Sequence, residues 1–346
     1  FMNRPGFDVR LKEQAIFENP GVPGLPDVGF LAGNLGYETK LSEYWAGVTW
    51  AKPLGQRLGL GVSTFVSVRN QRSRQSLSLQ GINDDDRATV LNSLRDYRYN
   101  SWRVLPKVGL SWEEDRLSLG IAVTAPGLRL FGDGDETVSQ YLVSQVESPT
   151  GPPAPVLAVQ SADDIPSEYN SPWSVAGGGA YSFSEDTRVH VSAEWFDANR
   201  RTILAVEPFT PEAGGGEPID PSVYLAMKPV VNFALGAEHH FSGSLTGYGS
   251  FRTDFSGAEE PIPTETTFAT WDLYHFGAGV QAKVNRSDFT LGLVYSRGSA
   301  TRPGPLVDFT GGNGDGTLSS ESIYTYSRLT LLLGLQLAFA PDLDIG

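Results

Sequence analysis

Residues 328–339 read RLTLLLGLQLAF, the most apolar run in a chain whose mean hydropathy is only −0.20. Leu329, Leu331, Leu333, Leu335, Leu337 and Phe339 occupy every second position, with Arg328, Thr330, Leu332, Gly334, Gln336 and Ala338 between them. A period of two is that of a β-strand with one bulky apolar face and one mostly small or polar face. On a soluble sheet that bulky face needs a protein core to cover it, so the next question is whether the rest of the chain supplies one.

The other strand-like stretches say that it does not. Leu58, Leu60, Val62, Thr64, Val66 and Val68 alternate with Gly59, Gly61, Ser63, Phe65, Ser67 and Arg69. Leu117–Thr124, Val189–Phe196, Val231–Glu238 and Phe289–Val294 repeat the pattern. Each has one greasy face and one that is small, polar or charged. Many such strands, with no helical period between them, predict an all-β fold: a transmembrane antiparallel up-and-down β-barrel with lipid outside. Composition agrees, because 39 Gly, 23 Pro, 18 Phe and 13 Tyr favour turns and strands over helices.

The connections fall into two kinds. Pro53–Gln56, Glu113–Asp115, Ser184–Asp186, Ser242–Ser244 and Asn285–Ser287 are tight polar turns, whereas Asn70–Asp96, Asp197–Tyr224, Ser256–Thr270 and Gly298–Ser320 read as long loops. Short periplasmic turns and long extracellular loops are the asymmetry of outer-membrane barrels. The seven tryptophans, at 45, 50, 102, 112, 173, 195 and 271, lie in or beside predicted strands and suit interfacial aromatic girdles. Twelve strands are expected near 28–37, 44–52, 57–69, 97–112, 116–126, 171–183, 187–198, 226–241, 245–256, 267–284, 288–298 and 321–339. Thr137–Val146 and Ala154–Gln160 add a hairpin, raising the count to about fourteen; the alternative is a twelve-stranded barrel with an extracellular excursion. The expected organisation is an N-terminal segment over 1–26, the barrel over 27–340 and a tail over 341–346.

The formal net charge of −14 repels phosphate backbones, so nucleic acid is not an expected partner. No cysteine is present, which excludes a thiol nucleophile and Cys-ligated zinc. The four histidines are scattered, and the acidic Gly-rich loops Phe131–Thr137 and Gly311–Thr317 are ordinary turn chemistry, so no metal and no cofactor is expected. No Ser–His arrangement has a nucleophile's spacing, and no enzyme is expected. The chain opens on Phe1, as a mature or trimmed chain does, so the lack of a leader does not count against export.

The inward face would carry Arg103, Lys107, His190, Glu194, Glu238, His240, Arg252, Asp254, His275, Lys283 and Arg328, since charges cannot face hydrocarbon cheaply. These line a polar path, or simply brace the lumen with ion pairs. Phe65, Phe196, Tyr248 and Leu332 are inward apolar groups; with Arg103 and Lys107 they are the candidate ligand contacts.

Near the N-terminus stands ENPGVPGLPDVGFLAGNLGYE, residues 18–38, and later come LPKVGLSWEEDRLSLGIAVTAPGLRLFGDG and EYNSPWSVAGGGAYSFSEDTRVHVSAEWF. These stretches resemble the outer-membrane long-chain fatty acid transporter family. There an Asn-Pro-Ala element ends an N-terminal hatch that plugs a fourteen-stranded barrel. Asn19-Pro20-Gly21 is the matching position, with Gly in place of Ala. The Gly-rich hatch stretch of the family is missing from residues 1–18. The resemblance implies a bacterial outer-membrane channel for passive uptake of hydrophobic small molecules such as long-chain fatty acids, with membrane lipid and outer-leaflet lipopolysaccharide around it. It also implies sideways exit through a gap in the wall. Pro106, mid-strand, is the candidate for that gap because it cannot donate to a ladder. Two other functions compete: a non-transporting scaffold for an envelope protein partner, and a pore for polar solutes.

Overall fold

The computed structural model describes the chain except residues 1, 19–27, 84, 146–154, 213–217, 260–270, 285–286, 304–320 and 338–346. Every regular element among the described residues is a strand. They are β1 (Met2–Glu18), β2 (Val28–Pro53), β3 (Leu58–Asn83), β4 (Ala88–Glu114), β5 (Leu117–Thr124), β6 (Leu128–Phe131), β7 (Asp133–Ser144), β8 (Val156–Pro166), β9 (Ser174–Ser182), β10 (Thr187–Phe196), β11 (Asn199–Leu204), β12 (Val223–Met227), β13 (Val230–Ser242), β14 (Leu245–Asp254), β15 (Asp272–Val284), β16 (Ser287–Pro303) and β17 (Glu321–Leu337).

The wall follows the order β1-β2-β3-β4-β5-β9-β10-β13-β14-β15-β16-β17, twelve strands on one path, each antiparallel to the next. Among the described residues no ladder joins β17 to β1. The cross-strand register shows why lipid, not protein, covers the bulky face. Val191, Leu235, Phe251, Phe276, Tyr295 and Leu329 form one outward row across six strands. The adjacent row, Ser192, Ala234, Arg252, His275, Ser296 and Arg328, points inward. Apolar members of the outward set are open: Leu333 is 76% exposed and Val191 60%. Such exposure over a whole sheet face is tolerated only in hydrocarbon. The architecture is that of a transmembrane antiparallel β-barrel, as the alternation predicts.

Several boundaries differ from the expectation. The segments at 28–37 and 44–52 belong to one strand, β2, and Met2–Glu18 pairs along it as β1. Asn70–Asp96 is not a long loop: β3 runs on to Asn83 and β4 starts at Ala88. β2, β3 and β4 have 26, 26 and 27 residues. At roughly 3.3 Å per residue they are on the order of 85 Å long, while an apolar band needs about 25 Å. On β3 the outward apolar run ends at Val68, and Asn70, Arg72 and Arg74 follow. The upper halves of these strands therefore stand beyond the hydrocarbon as a panel whose outer face is mostly polar and whose inner face carries Leu31, Leu35, Leu77, Leu79 and Leu91.

β5, β6 and β7 all lie against β4 and are successive stretches of one rail. β8 pairs with β7 and β9 with β5, so β8 and β9 are stretches of the returning rail. The extra hairpin expected near 137–160 exists as β7–β8, but it sits on the upper part of β4. It adds no strand to the twelve-stranded path.

The buried apolar core is small and lies at the loop end, on the inner side. Tyr97, Tyr99, Ile165, Ile203, Leu204, Val206, Val223 and Leu225 form it, joining the β11–β12 hairpin to β4 and β8. Arg95 fastens that cap: its Nη2 donates to the carbonyls of Pro221 at 2.6 Å and Ser222 at 3.0 Å, and its Nε to Glu136 at 2.5 Å. Within the cap, burial would raise the Asp220 carboxyl, but hydrogen bonds from the Tyr224 hydroxyl and the Ser222 amide prevail and hold it below its ordinary value. A lowered carboxyl stabilises the fold above its unfolded-state pKa, and that contribution is lost as pH falls through the folded-state value. The hairpin of purified protein is expected to resist protease at about pH 7 and to be cut faster near about pH 3, with Asp220→Asn cut at the faster rate at both.

Candidate functional site

Below the cap, at the level of the outward aromatic row Tyr44, Trp102 and Phe131, the inner face holds a buried charged cluster. Alternation on β2, β3 and β4 turns Glu43, Ser67, Arg69, Gln71, Tyr99, Ser101 and Arg103 to the same side. The side chains of Arg103, Arg69 and Glu43 are 1%, 10% and 10% exposed. Glu43 accepts from both guanidinium groups, from Arg103 Nη2 at 2.7 Å and from Arg69 Nη1 at 3.2 Å. Ser67 Oγ and Trp45 Nε1 also donate to it, at 2.9 and 2.8 Å. Arg69 spends its remaining donors on Tyr99, Gln71 and Tyr169, at 3.1, 2.8 and 3.2 Å.

Tyr169 comes from the chain between β8 and β9. The β7–β8 ladder ends at the pair Asp133–Pro166, and the β5–β9 ladder starts at Thr124–Ser174. Between them, residues 125–132 on one rail face 167–173 on the other, eight against seven, without a regular ladder. Pro126 and Gly127 bend the first rail, and Pro166 and Pro172 flank the second. Side chains replace much of the missing ladder: Arg129 Nε donates to the Ser167 carbonyl, the Gly127 amide to Ser171 Oγ, and Asn199 Nδ2 to the Asn170 carbonyl. The outward side chains at the break, Leu128, Leu130 and Phe131, are exposed. The seven-residue segment turns inward and lays the Tyr169 ring over both arginines, 4.1 Å from the Arg69 guanidinium carbon and 4.6 Å from that of Arg103.

Beneath this ceiling the wall is lined by small residues. Two adjoining hollows of about 670 and 770 Å3 share Ser111, Gly120, Gly178 and Ser192. Gly178 stands where a Cβ would meet the Val191 carbonyl at 2.8 Å, so the strands approach this closely only because no side chain intervenes.

The candidate residues fall into two groups. Phe65 lies one inward row below the cluster with its ring 5.7 Å from Trp45, and Lys107 lines the first hollow. Phe196 shares a cross-strand row with Lys107 through Thr124 and Ser174. Tyr248 and Leu332 lie across the wall on another row, with Gly279 and Gly292 between them, and the Tyr248 hydroxyl donates to Gln281 at 2.6 Å. Only Arg103, among the six, belongs to the buried cluster. Asn19 and Pro20 lie outside the described residues, as does Phe339.

Pro106 does not itself break the wall. β4 passes through it paired with Thr64, and the Pro106 carbonyl accepts from Ala125 at 3.0 Å, where β5 gives way to the bend. The interruption lies one rail over, at Pro126-Gly127 and at Pro166 to Pro172. Glu43, Arg69, Tyr99 and Tyr169 were not singled out from the sequence. Arg69 sits on an inward position of a visible alternation and could have been found; Tyr169, in PSEYNSP, carries no periodic signal.

No protein-family model and no curated relative matches the chain. Among solved structures it is similar to the Pseudomonas putida toluene transporter TodX, at 13% identity over 96% of this chain and 89% of that one, with a TM-score of 0.45. It is similar to the Ralstonia pickettii toluene transporter TbuX, at 13% identity over 97% and 89%, with a TM-score of 0.40. It is also similar to a Pseudomonas aeruginosa FadL homologue, at 13% identity over 95% and 85%, with a TM-score of 0.37.

Proposed function

We propose that the chain is a bacterial outer-membrane channel for passive uptake of hydrophobic small molecules, long-chain fatty acids among them, and not an enzyme. The observation that carries this is the interrupted ladder at 125–132 and 167–173, next to the hollows on the inner face. A ligand passing the ceiling enters a space walled mostly by Gly, Ala and Ser, with Lys107, His190, Arg252 and His275 also along it. The exposed leucines at the break offer it an apolar way out into lipid. The outward row of Tyr44, Trp102 and Phe131 would lie at the outer headgroups, with lipopolysaccharide above it. In liposomes containing the purified barrel, uptake of a fluorescent fatty acid and of an aromatic hydrocarbon is expected to exceed that of empty liposomes; equal uptake would end this reading.

The panel formed by the upper halves of β2, β3 and β4 favours a second reading, in which the barrel is a scaffold that carries an envelope protein partner. A stable complex recovered from outer membranes, together with no uptake, would favour it.

A further inference from the structure

Above the aromatic row the outward face of β2, β3 and β4 changes character in steps, and the steps are in register. Tyr44, Val68 and Trp102 lie side by side, with the Phe131 ring stacked on Trp102 at 5.1 Å. Below them come Ala46, Val66 and Val104. Two residues above come Ser42, Asn70 and Asn100, and two further Lys40, Arg72 and Arg98. Three cations stand in adjacent positions on three strands, about 5 Å apart and roughly 13 Å along the strands from the aromatic row. No other row of the described ladders brings three cations together on the outward face. Like charges directly opposite one another in a sheet repel, so the row costs stability unless anions meet it. The chain's own acids meet it only in part. Arg72 gives Nε and Nη2 to Asp96, at 3.3 and 2.9 Å, and Arg98 gives Nε to Asp135. Asp8, opposite Lys40 on β1, pairs with Arg10 instead. Lys40 has no ion-pair partner among the described residues, and the side chains of Arg72 and Arg98 remain 60% and 73% exposed. A hollow of about 520 Å3 lies along the row, lined by Lys40, Ser42, Asn70, Arg72, Arg98 and Asn100, with Asp133, Asp135 and Asp164 on its β7–β8 side.

We infer that this outer surface is a docking site for lipopolysaccharide, with a phosphate of its lipid A seated on Lys40, Arg72 and Arg98. The proposal rests on the outer-membrane placement given above and not on transport. Going up the wall, the chemistry runs from apolar to aromatic, then to amide and hydroxyl, then to cation. An acylated, phosphorylated sugar has the same order from its chains to its phosphates. Its acyl chains lie against Val66 and Val104, its sugar above the rings of Tyr44 and Trp102, and its hydroxyl and amide groups beside Ser42, Asn70 and Asn100. The phosphate then accepts charge-assisted hydrogen bonds from the Lys40 ammonium and from the guanidinium donors not spent on Asp96 and Asp135. With strands tilted by ~40°, the cations stand about 10 Å higher than the aromatic row, which leaves room for a sugar. A glycerophospholipid carries its phosphate next to the glycerol and falls short of them. The acids on the β7–β8 side repel a phosphate, so the head group sits over β2 and β3, where Lys40 and Arg72 are.

The test measures binding of lipid A, either bisphosphorylated or dephosphorylated, to the detergent-solubilised barrel by tryptophan fluorescence. EDTA is present so that no divalent metal bridges phosphate to the nearby acids. Wild type is expected to bind the bisphosphorylated form roughly tenfold or more tighter. Lys40→Gln/Arg98→Gln should bring the two forms within about twofold of each other. Arg10→Gln/Lys12→Gln removes as much charge from the same face, higher on the panel, and should keep the preference. Thermal melts show whether each variant is folded; should Lys40→Gln/Arg98→Gln not fold, Lys40→Gln decides, since it breaks no ion pair and should still lower the preference severalfold. Equal binding of the two lipids by wild type overturns the proposal. Equal losses in the two double variants do so too, because the attraction would then belong to the whole face. So does equally tight binding of phosphatidylglycerol, or release of lipid A by an equal concentration of inorganic phosphate. Fatty-acid uptake into liposomes without lipopolysaccharide should be the same for wild type and Lys40→Gln/Arg98→Gln. A failed docking site therefore leaves the uptake reading standing, and absent uptake leaves the docking site.

Discussion

Glu43→Gln will be among the most damaging single substitutions in this chain. It removes the one carboxylate between two guanidinium groups that are at least nine-tenths buried, and leaves both charges uncompensated. Breaking a buried ion pair from one side costs about 3–5 kcal/mol, more than the pair itself contributes. Chemical unfolding in detergent, followed by the loss of strand circular dichroism, reads the change. The double variant Glu43→Gln/Arg103→Gln should recover part of the loss, because one of the stranded charges goes with it. A cost of the single variant below about 1 kcal/mol would mean that water reaches the cluster and that the ceiling is not closed.

The second large effect concerns the outside. Leu293 points outward near the middle of the apolar run of β16, between Leu291 and Tyr295 on the same face. Leu293→Arg should destabilise the folded, membrane-inserted barrel by about 2–4 kcal/mol, the cost of a cation at hydrocarbon depth. Thr290 lies on the opposite face of the same strand, in a row with Gln281 and Gly334. Thr290→Arg should change stability by less than about 1 kcal/mol, since that face is wet. Folding into lipid vesicles, monitored by heat-modifiable gel mobility, separates the two. Equal penalties would contradict the assignment of faces.

Where the chain crosses hydrocarbon, its strands were legible. Lipid on one side and a wet interior on the other force an apolar–polar alternation, and Leu58–Arg69 or Arg328–Leu337 could hardly be read otherwise. The alternation stops where the hydrocarbon stops. Past it, Asn70–Asn83 and Ala88–Asp96 keep only a short apolar row on the inner side, Leu77 and Leu79 beside Leu91, with polar residues at most other positions. Yet they continue the ladder of the strands below them. That is why they looked like loops. Glu43 was hidden for the same reason, in the polar stretch between two apolar ones that turned out to be a single strand. The irregular ladder lies one rail from Pro106. Pro106 cannot donate, but on a strand already satisfied by its neighbours that costs little. Pro126-Gly127 and the two prolines around Tyr169 act together on facing rails, and a pattern read one strand at a time does not show which rails face each other.

Eight residues against seven at the interruption has one more consequence. The inward segment is no insertion draped over a finished wall; it is the wall's own length of chain, bent out of line. The irregular ladder and the Tyr169 ceiling therefore draw on the same seven residues, and straightening them into a regular ladder would withdraw Tyr169 from the two arginines.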